Sequence, residues 1–285
     1  MKLTLRPAAN IRLTELLQQF PFSRREISIL KEEGRIAVNG QIIKNDLTLN
    51  SGDQVEIDIS KPESSEVAPS DKPLRILYED DLVLVADKPA GILVHDDGNS
   101  QITLDNLVAG HYQRTNQNHP ILHVHRLDYG TSGALLYCKE RCLMAYFDNA
   151  LAAKAIKRRY LALVKGRINE PLTIDQPIGR DRHVSGKYRI CPTGKNAVTH
   201  VKPLRYLQND TLCECELETG RTHQIRVHLA AIGHPIKGDD LYGGESHERM
   251  MLHSCYLHFY QPVKGVSITV TSPWQFNINP EESGL

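Results

Sequence analysis

The sequence predicts an α+β fold with a mixed or antiparallel sheet, preceded by a small separate unit. Three observations carry this. Strand-like stretches follow one another with only a few helical stripes between them, not in regular βαβ alternation. Near the N-terminus an Asn-Gly pair sits between two alternating apolar runs, which marks a hairpin. A stretch rich in Pro, Ser and acids at 61–73 lacks periodicity, and reads as a linker between residues 1–60 and 74–285.

In the small unit, Leu13, Leu16, Leu17 and Phe20 recur at helical spacing and define one apolar face. Ser23 followed by Glu26 makes a capping box, opening a second helix with Ile27 and Leu30 inward and Gly34 at its end. RIAVNGQII then turns at Asn39-Gly40, and GDQVEIDI adds another strand. In the larger unit, DLVLVADKPAG reads as an apolar strand running into a Pro/Gly turn, and TLDNLVAGHY as a helix capped by Thr103. ALLYCK, residues 134–139, is a strand, and Leu143, Phe147 and Leu151 repeat as a helix does. RRYLALVKG alternates, with Tyr160, Ala162 and Val164 on one face. TLCECELET puts Cys213 and Cys215 on the buried face of a strand. Ile225, Leu229 and Ile232 then stripe a helix that Gly233 and Pro235 end.

The 34 basic and 34 acidic residues balance, so net charge alone selects no polyanionic partner. Their distribution is uneven: residues 139–167 hold eight basic and two acidic, 180–205 seven and one, 61–87 three and seven. Such segregation can build a positive face on a neutral protein. The six cysteines fit neither C-x-x-C nor zinc-finger spacing and read as core thiols in a reducing compartment. No apolar run approaches the ~18 residues of a membrane span. MKLTLRPAANIRLTELL lacks a signal peptide's apolar stretch, so a cytoplasmic protein without membrane attachment is expected. Among thirteen histidines, His223 and His228 stand five apart, off the spacing of a helical zinc site, and no metal is expected.

HRLDYGTSG, residues 125–133, holds one acid, Asp128, beside Arg126 and before two glycines and two hydroxyls. An ordinary turn accounts for this: Asp accepts backbone N–H bonds and Gly supplies positive φ. A catalytic loop needs a carboxylate held ionised and glycines that let a substrate approach. It also needs a cation to fix the acid, either Arg126 or one from afar. Thr131 and Ser132 would add local donors.

HRLDYGTSG resembles the signature of the RluA-type pseudouridine synthases, and further segments follow in that family's order. ILYEDDLVLVADKPAGILVH is similar to its first catalytic segment, and IKRRYLALVKG to the one with its active-site tyrosine. LETGRTHQIRVHLAAIGHPIKGDDLYGG is similar to the segment with its second active-site basic residue, and RMMLHSCYLHFYQP to its closing helix–strand stretch. The resemblance spans about residues 74–275. It implies a pseudouridine synthase catalytic fold: a mixed, mainly antiparallel sheet with flanking helices and an RNA cleft. Within residues 1–60, the stretch from Ile11 to about Ile59, with the core SRREI…VNGQ, resembles the S-four-type (αL) RNA-binding domain.

By this resemblance Asp128 is the catalytic aspartate, Tyr160 the tyrosine that stacks on uracil, and Arg226 the guanidinium that keeps the acid ionised and aimed. The implied reaction breaks a uridine's N-glycosidic bond, turns the base and rejoins it through C5; it calls for no cofactor. Asp128 serves either as nucleophile or as a base toward the sugar. Arg126 either contacts RNA beside a flipped nucleotide or makes a salt bridge. RNA contacts are also expected from Arg221, His223, Arg158, Arg159 and Arg180, and in the small unit from Arg24, Arg25 and Lys31. The expected partner is structured RNA, 23S ribosomal RNA first and transfer RNA second, with the protein a monomer. The rival classes are a non-catalytic RNA-binding or ribosome-assembly protein and a hydrolase that releases uracil. Glycoside hydrolases use paired acids, and the loop offers one, which favours the isomerase.

Overall fold

The computed structural model describes residues 2–20, 22–59, 66–98 and 102–273; residues 61–65 of the expected linker and 274–285 of the larger unit lie outside it. The helix Leu13–Gln18 buries Leu13, Leu16 and Leu17, and Phe20 packs on the same core just past its end. Ser23 accepts the N–H of Glu26 and opens the helix Arg24–Glu32, which buries Ile27 and Leu30. Asn39 (φ 49°) and Gly40 (φ 79°) take the left-handed conformation that the hairpin from Ile36–Val38 to Gln41–Ile42 requires. Val55–Asp58 and Lys2–Leu5 extend it into a four-stranded sheet. The core of this unit meets the larger one where the Cys142 thiol points at the Ile59 carbonyl.

The second half of the expected linker is packed, not free. Ser70 donates its N–H to the Asn106 carbonyl, and its own carbonyl accepts from Arg114, both on the helix Leu104–Arg114. The contact is so close that a Cβ on Gly110 would stand 1.9 Å from the Ser70 oxygen. Thr103 caps this helix through a reciprocal bond pair with Asn106.

A ten-stranded sheet carries the larger unit. Its order is Leu172–Asp175, Val198–Leu207, Asp210–Leu217, Lys157–Lys165, Leu252–Gln261, Ser132–Cys138, Val83–Lys88 and Arg75–Glu79, with two strands off this path. Neighbours along it run antiparallel except Ser132–Cys138 beside Leu252–Gln261, which pair in parallel at Ser132–His253 and Gly133–Ser254. The expected mixed, mainly antiparallel sheet is therefore present.

Both faces of the sheet are covered, which sets the pattern of its central strands. Val83 and Val85 join Ala134 and Leu136 in one core, while Leu84 and Ala86 join Leu135 and Tyr137 in the other. The result is an unbroken apolar run in sequence. The closing segment differs from expectation: RMMLHSCYLHFYQP contains no helix. Met250 and Met251 are buried, and the chain passes directly into the strand Leu252–Gln261, which pairs with Val266–Thr271. Its side chains follow a period of two, with Leu257 and Phe259 inward. Among the described residues no helix is long and apolar enough to cross a membrane.

Candidate active site

The HRLDYGTSG loop closes on itself through a bond from the Thr131 N–H to the Asp128 carbonyl, 3.0 Å. Beneath it lies Lys88, wholly buried, at the end of the strand Val83–Lys88. Its ammonium donates to the carbonyls of Pro89 (3.0 Å), Tyr129 (3.2 Å) and Thr131 (2.8 Å). Three acceptors match three hydrogens, so one side chain holds the loop from below. Burial pushes its pKa down to about 7, against the opposing pull of the Asp128 charge.

The two glycines, which a catalytic reading of the loop assigns to substrate approach, lie against the protein's own chain. A Cβ on Gly130 would meet Met250 at 3.1 Å, and one on Gly133 (φ 108°) would lie 2.2 Å from the Ser254 carbonyl. Both let the loop pack onto the segment that begins the neighbouring strand. Ser132 is also committed there, with its hydroxyl 2.9 Å from His253 Nδ1 and accepting from Arg249 at 3.2 Å.

Arg226, on the helix Gln224–Ala231, crosses to the loop and donates from Nη1 to Asp128 Oδ2 at 3.2 Å. The distant cation, not Arg126, fixes the acid. The rest of the guanidinium fork is held by Asp239, with Nε and Nη2 donating to its two oxygens at 2.7 and 2.8 Å. Burial works against the Arg226 charge, but Asp239 and then Asp128 outweigh it and its pKa rises. Asp239 escaped the sequence reading; its one signal is GDDLYGG downstream of the helix, which has no periodicity to assign it.

Tyr160 is 5% exposed and follows a bulge between Arg159 and Tyr160. Burial raises its phenol pKa, the Arg158 charge opposes this and the Asp128 charge adds to it. Asp128, Tyr160 and Arg226 line one cavity of about 790 Å³, together with Arg126, Arg158, Arg221 and His223. That volume falls within the ~300–1,000 Å³ typical of small-ligand sites. His125 also borders it, buried, with Nε2 accepting the Leu136 N–H; burial and the nearby Arg158 charge push its pKa to about 3.

The other expected RNA contacts divide. Arg126 stands exposed at the cavity rim with no ion pair among the described residues, so its salt-bridge alternative is not met. Arg221 donates from Nε to the Asn196 carbonyl, also at the cavity. Arg159 is turned away, as strand alternation requires: it stacks on Tyr256 (3.8 Å) and bonds Glu214 (3.1 Å). Arg180 lines a second cavity with Arg182, His183 and Arg189. Arg24 and Arg25 are exposed. Lys31 is occupied inside its own unit, bonding Thr14 at 2.7 Å beside Asp46.

This sheet and these side chains fit an RNA-modifying isomerase, and comparison makes the class plain. The chain belongs to the RNA pseudouridylate synthase family, whose model matches residues 82–231; that range contains Asp128, Tyr160 and Arg226. An uncharacterized RNA pseudouridine synthase of Bacillus subtilis is 42% identical over 246 residues, 84% of this chain and 82% of that one. Ribosomal large subunit pseudouridine synthase D of Xanthomonas campestris pv. campestris is 36% identical over 276 residues, 90% of this chain and 83% of that one. Among solved structures, human RNA pseudouridylate synthase domain containing 1 matches with a TM-score of 0.61 at 28% identity, covering 72% of this chain and 84% of that one.

Proposed function

We propose that the protein converts uridines to pseudouridine in structured RNA of the large ribosomal subunit. One observation carries the chemistry: Arg226 Nη1 stands 3.2 Å from Asp128 Oδ2 on the wall of the cavity that Tyr160 lines. A guanidinium at that distance, itself locked by Asp239, pairs with the carboxylate and fixes its orientation. The carboxylate has two roles open to it: attack on the anomeric carbon, or removal of a proton from its neighbour. By either route the N1–C1′ bond breaks, the base turns within the cavity, C5 bonds to C1′ and gives up its proton, and N1 gains one. Substrate and product have the same atoms, so the step is an isomerisation. Tyr160 stays neutral and presents a ring on which uracil can stack.

The ribosomal assignment is supported by the name of the Xanthomonas relative. A uridine in structured RNA reaches the cavity only when flipped from its stack, and the exposed Arg126 at the rim suits the vacated partner. Arg158 and Arg221 at the cavity, and Arg180 beyond it, would meet phosphates. Residues 1–60 would act as an S-four-type (αL) domain with Arg24 and Arg25 outward, whereas Lys31 bonds Thr14 within its own unit. The six free thiols suit a reducing cytoplasm, where the protein would act as a monomer.

Carbodiimide mapping of pseudouridine in total RNA, with and without the protein, tests the proposal. Wild-type protein should add sites in 23S ribosomal RNA, and Asp128→Asn should bind that RNA but add none. Full activity in Asp128→Asn would overturn the aspartate's role. Sites confined to transfer RNA would overturn the ribosomal assignment, and release of free uracil would mark a hydrolase.

A further inference from the structure

Tyr242 sits at the centre of hydrogen bonds that the chemistry above leaves unused. Its hydroxyl oxygen is 2.9 Å from the backbone nitrogen of Tyr188 and 2.9 Å from Nδ1 of His223. Arg226 lies over its ring, the guanidinium carbon 5.0 Å from the centroid. Tyr188 meets the His223 ring edge-on, centroids 5.5 Å apart. His223 in turn places Nε2 4.0 Å from Asp128 Oδ2. It does so from a left-handed backbone, φ 57°, unusual for a residue with a side chain and tolerated where the surroundings fix it.

Donor counting decides the tautomer. The Tyr188 N–H can only donate, so it fills an acceptor position on the phenol oxygen. Were Nδ1 of His223 protonated, it would donate to that same oxygen, and the phenol hydrogen would find no partner among the described residues. When the phenol donates to Nδ1 instead, all three groups are satisfied. The neutral ring then carries its hydrogen on Nε2, the nitrogen that faces Asp128. Burial favours that neutral ring, and although the Asp128 charge opposes it, the pKa is lowered.

Oδ2 of Asp128 is thus addressed from two sides, by Arg226 at 3.2 Å and by His223 at 4.0 Å, while Oδ1 has no hydrogen-bond partner among the described residues. We propose that Tyr242 and His223 form a positioning relay that holds the Nε2–H tautomer of His223 against Oδ2 of Asp128 and reserves Oδ1 for the nucleoside. The relay rests on the pseudouridine synthase reading only for the identity of that nucleoside. Tyr188 belongs to the strand Tyr188–Ile190, paired with Ile178–Arg180, so the relay also joins the basic hairpin to the aspartate.

Imidazole ¹⁵N spectra of the full chain read the tautomer directly, with His223 assigned by the signal lost in His223→Gln. Wild type should show the Nε2–H form, and Tyr242→Phe a mixture of both. The Nδ1–H form in wild type, or no change in Tyr242→Phe, would overturn the relay. On RNA substrate, Tyr242→Phe should lower kcat ~10-fold, the scale of one hydrogen bond, and leave KM within about twofold. His223→Gln, which keeps an N–H near the Nε2 position, should retain more activity than the equally unbranched His223→Met; equal losses would reduce His223 to packing. Should Tyr242→Phe fail to fold, the wild-type tautomer and the Gln/Met pair decide. If wild type makes no pseudouridine, the activity assignment falls while the spectra still judge the relay.

Discussion

Arg226 stands between two carboxylates, and unequal geometry gives them different tasks. Asp239, 2% exposed, takes two of its bonds; Asp128, whose side chain is a quarter exposed, takes one, and its Oδ1 has no hydrogen-bond partner among the described residues. The inner acid locks the cation, and under the proposed function the outer one is the group that would react. His125, two residues upstream of Arg126's neighbour Leu127, shows how burial here links to pH. Its folded pKa of about 3 lies below the ~6.5 of an unfolded chain, so within that window the unfolded state binds a proton that the folded state refuses. Stability should therefore fall as pH drops below ~6.5, by up to about 1.4 kcal/mol per pH unit from this residue. Urea unfolding across that range should give a shallower decline for His125→Gln, whose carbonyl can accept the Leu136 N–H; identical slopes would remove His125 as the cause. At this scale the family resemblance singled out Asp128, Tyr160 and Arg226, which the structure brings to one cavity. The roles of Asp239, Lys88 and Tyr242 were not legible, since they rest on contacts with residues as far as 54 positions away.

Among the elements, the helix Leu104–Arg114 illustrates how a tertiary contact reverses a local rule. Replacing an interior helix glycine by alanine ordinarily stabilises by ~0.5–1 kcal/mol. At Gly110 the added carbon would collide with the Ser70 carbonyl. Gly110→Ala should instead cost about 1–3 kcal/mol, measured by urea unfolding, and should speed proteolysis within residues 66–73. A stabilised variant would show that the segment is not held there. The Ser23 cap, the Asn39-Gly40 turn and the stripes of the helices were readable because each depends on neighbours within one turn. The packing of residues 66–73 was not, because an irregular segment has no period to betray the face it rests on. The closing stretch misled for a related reason: its apolar residues suit either period until a pairing partner chooses one.

Across the whole molecule, zero formal charge conceals a division of labour. Arg180, Arg182 and Arg189 gather around one cavity beyond the one that Asp128 lines, and an RNA held there should release counterions. Replacing Arg180 and Arg182 together by Gln should weaken RNA binding and reduce the slope of log K against log salt by ~1.4–1.8. Fluorescence anisotropy over a salt series measures this, and an unchanged slope would move the RNA path elsewhere. The sheet's class was legible from the succession of strands, but not its one parallel pair, whose register joins segments far apart in sequence. That pair orders events during synthesis. The Ser132 hydroxyl is secured by His253, 121 positions later, and Gly133 lies against Ser254. A ribosome therefore finishes translating the signature long before it releases the strand that seats it. A product truncated ahead of residue 253 would carry the complete motif, yet its aspartate loop would lack its footing.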